Sequence, residues 1–226
     1  MGREHIDTRQ LAQLTEQSQD LHSDALRITG RAMAPTASEE DVMALQTAAS
    51  LENLAVGVYR TAARLPFIRS GNKTLVTFIS TTTRQHEEHA KAFNAAVTRA
   101  GGRAQTGTDP KYAAVVRKTL PTVKTPADVV KLAISLEDVA AQTYTKNVGQ
   151  VSSGPLRRLF GSVAPVEAQH RATLLAVQAL LSAGDESLIA LPTDVAKLPP
   201  AVGSVGFPDA FYPTADASPV SEGAIR

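Results

Sequence analysis

Apolar residues recur at three- and four-residue spacing through four long stretches of the chain, each bounded by polar and turn-forming residues. The first stretch opens on Thr36-Ala37-Ser38-Glu39-Glu40-Asp41, acidic residues that suit the positive end of a helix dipole, and runs to about Arg64. Its inward seam reads Leu45, Ala48, Glu52, Ala55, Tyr59 and Ala63. Leu65-Pro66 and Ser70-Gly71-Asn72 punctuate a turn. The second helix then spans 73–100, with Leu75, Phe78, Thr82, His86, His89, Phe93 and Val97 inward, until Gly101-Gly102 stops it. Thr125 caps the third, with Pro126 at its first helical position and a seam of Val130, Ala133, Glu137, Ala140, Tyr144 and Val148. Ser153-Gly154-Pro155 opens the fourth, whose seam is Leu156, Leu159, Val163, Glu167, His170, Leu174, Val177 and Leu181 before Gly184 closes it. Pro165 lies inside this helix, removes one backbone hydrogen bond and predicts a bend there.

The flanks read differently. Residues 101–124 form a long connection, with a short helical piece over 112–117. Residues 5–30 are weakly amphipathic, so 1–35 read as an extra N-terminal helix packed on the bundle or on a partner, with His5 and His22 facing solvent. Six of the 13 prolines fall beyond residue 187, where no helical period survives. The expected organisation is therefore an N-terminal helix (1–35), a four-helix bundle (36–186) and an extended Pro-rich tail (187–226), with Phe207, Phe211 and Tyr212 as its only anchors. The end of that tail, 218–226, reads as a frayed terminus, with a docking peptide as the alternative.

Composition narrows the chemistry. Lys plus Arg number 23 against 22 Asp plus Glu, and a net charge of +1 gives no footprint for nucleic acid or an anionic membrane. There is no cysteine, which excludes disulfides, thiolate metal sites and cysteine nucleophiles. No apolar run approaches the ~18 residues of a membrane span, and the N-terminus lacks the apolar stretch of a signal peptide. The expectation is a soluble, cytoplasmic protein. Phosphate-binding glycine loops and serine elbows are missing too.

What the chain does carry is an echo. Ser50-Leu51-Glu52 is followed by Ala55 and Tyr59, and Ser135-Leu136-Glu137 by Ala140 and Tyr144 at the same spacing. His86-Glu87-Glu88-His89 follows the first copy and Glu167-Ala168-Gln169-His170 the second. The chain thus reads as two helical hairpins, each with a Glu on its first helix and two potential ligands three residues apart on its second. Three carboxylates and three imidazoles stand on seam positions that otherwise hold core residues. A buried carboxylate costs several kcal/mol unless paired or bound to metal, so one or two such residues on each of four helices form a constellation. Counted from the turns, the ligands of each hairpin fall at the same height to within about one helical turn. Three Glu and three His suit iron or manganese, and zinc less exclusively. Tyr59 and Tyr144 lie two turns below the site Glu residues and can either hydrogen-bond the ligands as a second shell or serve as core tyrosines.

With these motifs the sequence resembles the ferritin-like superfamily, and most nearly the diverse bacterial ferritin-like domain proteins, over residues 40–184. The resemblance implies an all-α, four-helix di-metal carboxylate bundle with a long crossover between its second and third helices, a place that 101–124 fill. It implies metal ligation by Glu52, His86, His89, Glu137, Glu167 and His170, a dinuclear iron or manganese site, and oxidoreductase activity towards oxygen or peroxide. The second motif departs from the family's Glu-x-x-His: His89 matches, but His86 stands where the family has Glu, while Glu87 and Glu88 are turned about 100° and 200° away. One carboxylate fewer disfavours trivalent iron and iron storage. The alternative is a metal-free or vestigial bundle acting as a structural or interaction subunit. A homo-oligomer or protein partner would be engaged through the N-terminal helix and the tail.

Overall fold

The computed structural model describes residues 37–189 and 216–225. Among these are six α-helices and two short 3₁₀ turns, with no strand. The long helices are α1 (Glu39–Arg64), α3 (Lys73–Arg99), α5 (Pro126–Gln150) and α6 (Gly154–Ala183). Two shorter ones are α2 (Pro66–Arg69) and α4 (Pro110–Thr119). The all-α bundle of two helical hairpins expected from the seam pattern is the one observed.

Local chemistry sets these boundaries. Ser38 caps α1 in a capping box with Asp41, and Thr125 caps α5 in another with Asp128. Asn72 accepts from Thr74 N and Leu75 N to start α3, and Gly184, at φ +77°, ends α6 in the left-handed region. Pro66 sits at the first turn of the short α2, a position that needs no amide proton, so the turn expected at Leu65-Pro66 carries one extra helical turn. Pro165 is accommodated inside α6, which runs unbroken through it. On α1 the core takes Ala62, and Ala63 is exposed: the true seam lies one residue from the expected one at that end.

Helices α1 and α3 form one antiparallel hairpin, α5 and α6 the other. The segment after α3 runs back along the molecule to reach α5. It is fastened on the way: Gln46 Nε2 donates to Arg103 O at 2.8 Å, Asn53 Nδ2 to Gln105 O at 3.0 Å, and Asp109 N to Ser50 O at 3.0 Å. The helical piece expected over 112–117 is the core of α4. The hairpins are also tied at one end, where buried Asp41 accepts Ser152 N at 2.8 Å and the Ser152 hydroxyl. Two apolar clusters fill the bundle. One holds Leu45, Phe93, Tyr144, Leu156 and Phe160, and the other Ile68, Leu75, Leu174, Val177 and Leu180. Burying each Leu in them contributes on the order of 1.5–3 kcal/mol. The polar seam residues lie between the two.

The N-terminal helix expected over 1–35, with His5 and His22, and the anchors Phe207, Phe211 and Tyr212 lie outside the described residues. The end of the tail is no frayed terminus. Residues 216–225 form turns seated on α1, α4 and α5, and Ser218 is buried. Asp216 N donates to Gln142 Oε1, Ser218 N to Thr143 Oγ1 and Gly223 N to Thr47 Oγ1, while Thr47 Oγ1 donates to Val220 O. Polar helix residues that a hydropathy pattern assigns to solvent are in fact the receptors of this segment. Among the described residues, no helix is long and apolar enough to cross a membrane.

Candidate metal centre

All six seam residues expected to be ligands meet at mid-bundle, each no more than 5% exposed. Glu52 comes from α1, His86 and His89 from α3, Glu137 from α5, and Glu167 and His170 from α6. His86 stands in the middle: Nδ1 is 2.7 Å from Glu52 Oε2 and Nε2 is 3.2 Å from Glu137 Oε1. Glu167 stands opposite, with Oε1 2.7 Å from His89 Nδ1 and Oε2 3.1 Å from His170 Nδ1. Each of these two residues therefore offers one atom to either side. The other four pair up, Glu52 with His89 and Glu137 with His170. Glu87 and Glu88 point away, as their wheel positions predict, and pair with Arg60 and Lys91 at the surface.

Both tyrosines enter this centre, but across the hairpins. The Tyr59 hydroxyl donates to Glu137 and the Tyr144 hydroxyl to Glu52 Oε1, the latter at 2.7 Å. Sequence spacing placed each tyrosine two turns from the Glu of its own helix; the bond goes to the Glu of the other hairpin. Gln85, which the seam pattern passes over, turns its amide oxygen to His170 Nε2 at 2.7 Å. An amide oxygen only accepts, so Nε2 carries the proton and Nδ1 is directed at Glu137 and Glu167. Its signal in the sequence is slight: one uncharged amide next to the seam, without a spacing of its own.

The electrostatics follow from six titratable groups sealed together. Burial pushes the Glu52 carboxyl up, but His89 and His86 overcome it and hold it at about 2. Glu137 is held well below the usual carboxylate range, its burial outweighed by His86 and His170. Burial and the neighbouring Glu52 raise Glu167. Burial pushes the imidazoles down, yet the carboxylates reverse this: His86 is raised well above its ordinary value, and His89 and His170 to about 9. Burial and the adjoining carboxylates keep both tyrosines protonated, their hydroxyls raised well above the ordinary value.

The donor set fits metal. Glu52, His86, His89 and Glu167 offer four ligand atoms within 4.8 Å of one another, and so do His86, Glu137, Glu167 and His170. Carboxylate and imidazole without sulfur suit iron, manganese or zinc. One carboxylate oxygen, Glu167 Oε1, is fully buried with no hydrogen bond aligned on it, although His89 Nδ1 is 2.7 Å away. A bound ion or an ordered water is among the ways such an atom is satisfied. The sequence model of the ferritin-like domain family matches residues 40–180. No curated protein and no solved structure matches the chain.

Proposed function

From a chain that belongs to the ferritin-like domain family, by a match over more than half its length, we propose a dinuclear iron or manganese protein with oxidoreductase activity towards oxygen or peroxide. One observation carries this reading: the two four-residue donor groups overlap in His86 and Glu167, so six buried donors stand ready for a pair of ions, with the two oxygens of Glu167 able to serve both and the single free lone pair of a neutral His86 ring able to serve one. In this assignment Glu52 and His89 would hold one ion and Glu137 and His170 the other, with Glu167 and His86 completing the donor set.

The bound ions would supply electron transfer and Lewis acidity, chemistry that no side chain here provides. The protein's own residues do the rest. Tyr144 donates to Glu52 Oε1 and Tyr59 to Glu137 Oε1, the oxygen that also faces His86 Nε2, and so they orient both carboxylates. Gln85 holds His170 in the tautomer whose Nδ1 faces inward. The two apolar clusters exclude bulk water, which strengthens every charge interaction between them. Three carboxylates carry less negative charge than two divalent ions carry positive, which favours the divalent over the trivalent state.

The second reading, a metal-free bundle serving as a structural subunit, rests on the same cluster: three carboxylates and three protonated imidazoles already balance in charge. Elemental analysis of protein purified from cells supplied with iron and manganese decides between the two. About two ions per chain, lost in a His89→Ala/Glu167→Ala double variant, are expected, with oxygen or peroxide consumption by the loaded protein. Protein that takes up neither metal overturns the proposal in favour of the structural subunit.

A further inference from the structure

Among the described residues, the two hairpins meet along two seams, and a space beside the donor cluster lies on one of them. Between α3 and α6, Phe78 stands edge-on to the His170 ring, centroids 6.2 Å apart, and Gln85 is bonded to the same imidazole. Between α1 and α5 a cavity of about 20 Å³ touches Glu52, His86 and Glu137 directly. Its remaining walls are uncharged, aliphatic residues with Tyr59, Tyr112 and Tyr144, and it is this wide because Ala55 and Ala140, the small residues that follow each seam Glu in the sequence echo, line it from either side. The space is about what one water needs. Tyr112 of α4 forms its outer wall.

Tyr112 is itself latched. Its hydroxyl donates to Asp216 O at 3.2 Å, the first residue of the C-terminal segment. That segment is bound to both hairpins, through Thr47 on α1 and through Gln142 and Thr143 on α5, so it crosses the seam it covers. Gly223 keys it in place: a Cβ there would overlap Ser50 Oγ and come within 3.1 Å of Thr47 Cα.

We propose that this cavity is where a small uncharged molecule reaches the donor cluster, and that Tyr112, latched by residues 216–225, closes its mouth. The size follows from the volume and the class from the walls: an ion in the passage would find no countercharge until it met the cluster. The identity of the cluster as a metal centre is taken from the proposed function, whereas the entrance stands on the cavity and the latch.

Two readouts separate these parts. The first is deuterium exchange at the imidazole C2–H of His86, followed by mass spectrometry on metal-free, full-length protein, and needs no metal. Tyr112→Ala and Gly223→Leu open the mouth and are expected to speed exchange on the order of tenfold, the signature of a local opening. Ala55→Val narrows the cavity and slows it, a direction that general loosening cannot imitate. Val115→Ala, on the outward face of α4 and 43% exposed in the native protein, leaves the rate unchanged. Equal rates in wild type and both opening variants overturn the proposal, as does a Val115→Ala chain that exchanges as fast as Tyr112→Ala. The second readout is cobalt(II) uptake by the same proteins, seen in the visible spectrum. Unchanged cobalt stoichiometry in the opening variants shows that the donor cluster is intact in them, so that their faster exchange reports the entrance and not a damaged site, which supports the proposal. A wild-type chain that takes up no cobalt strikes the metal reading alone, and the exchange rates then decide the entrance by themselves.

Discussion

At the scale of single residues, the centre is made by what surrounds each ligand as much as by the ligand. Gln85 shows this most simply. Removing its amide by Gln85→Ala frees His170 to take either tautomer and is expected to weaken metal binding about 10- to 100-fold, measured by cobalt(II) titration, with Gln85→Glu restoring it because a carboxylate also accepts from Nε2. Unchanged affinity in the alanine variant would show that packing alone orients His170. That three Glu and three His would gather at mid-bundle was legible in the sequence because an ionisable residue on an apolar seam contradicts its neighbours and is noticed. Gln85 was not, because a half-buried amide beside a seam contradicts nothing. The crossed tyrosine bonds were hidden for a different reason: spacing along one helix says which residues share a face, and not what the opposite helix brings to it.

At the scale of elements, the caps and stops were readable almost to the residue, since Ser, Thr and Asn caps, Pro at first turns and Gly184 each act through local geometry. Ties between elements were not. Asp41 reads as an ordinary acidic residue in a first turn, yet it is 1% exposed and serves α1 and the turn after α5 together. The hydrogen bonds of Ser152 and Ser38 hold its carboxyl below the ordinary value against the cost of burial. Asp41→Ala therefore strips more than a cap. The expected loss is about 2–3 kcal/mol, seen as a lower urea midpoint, against about 1 kcal/mol for Ser38→Ala, which removes the capping hydroxyl alone. Equal losses would mean that the Ser152 bonds contribute nothing. The C-terminal segment was misjudged for a related reason: ten residues with no period of their own are held by polar side chains on other helices, a complementarity that leaves no trace in the segment itself.

At the scale of the whole molecule, the charge balance of the centre makes stability and metal affinity respond to pH in different ways. Without metal, His89 and His170 titrate at about 9 instead of 6.5, so their contribution to stability is complete below pH 6.5 and is lost as pH rises towards 9. Glu52 titrates at about 2 instead of 4.5, so its contribution is present above pH 4.5 and is lost as pH falls towards 2. Glu167, raised instead of lowered, works against Glu52 at the acid edge. Thermal unfolding of metal-free protein is thus expected to peak between pH 4.5 and 6.5 and to decline by pH 9. Metal must displace the imidazole protons, so affinity is expected to rise over the same interval, to about pH 9. A metal-free melting temperature that climbs from pH 6.5 to 9 would contradict the charge assignment. The crossed tyrosines have one more consequence. Tyr59 of the first hairpin secures Glu137 of the second, and Tyr144 of the second secures Glu52 of the first. That reciprocity is the mark of an isologous interface, a two-fold axis enclosed in a single polypeptide. His86 and Glu167 face each other across that axis, and theirs is the one place among the six ligands where its symmetry is broken.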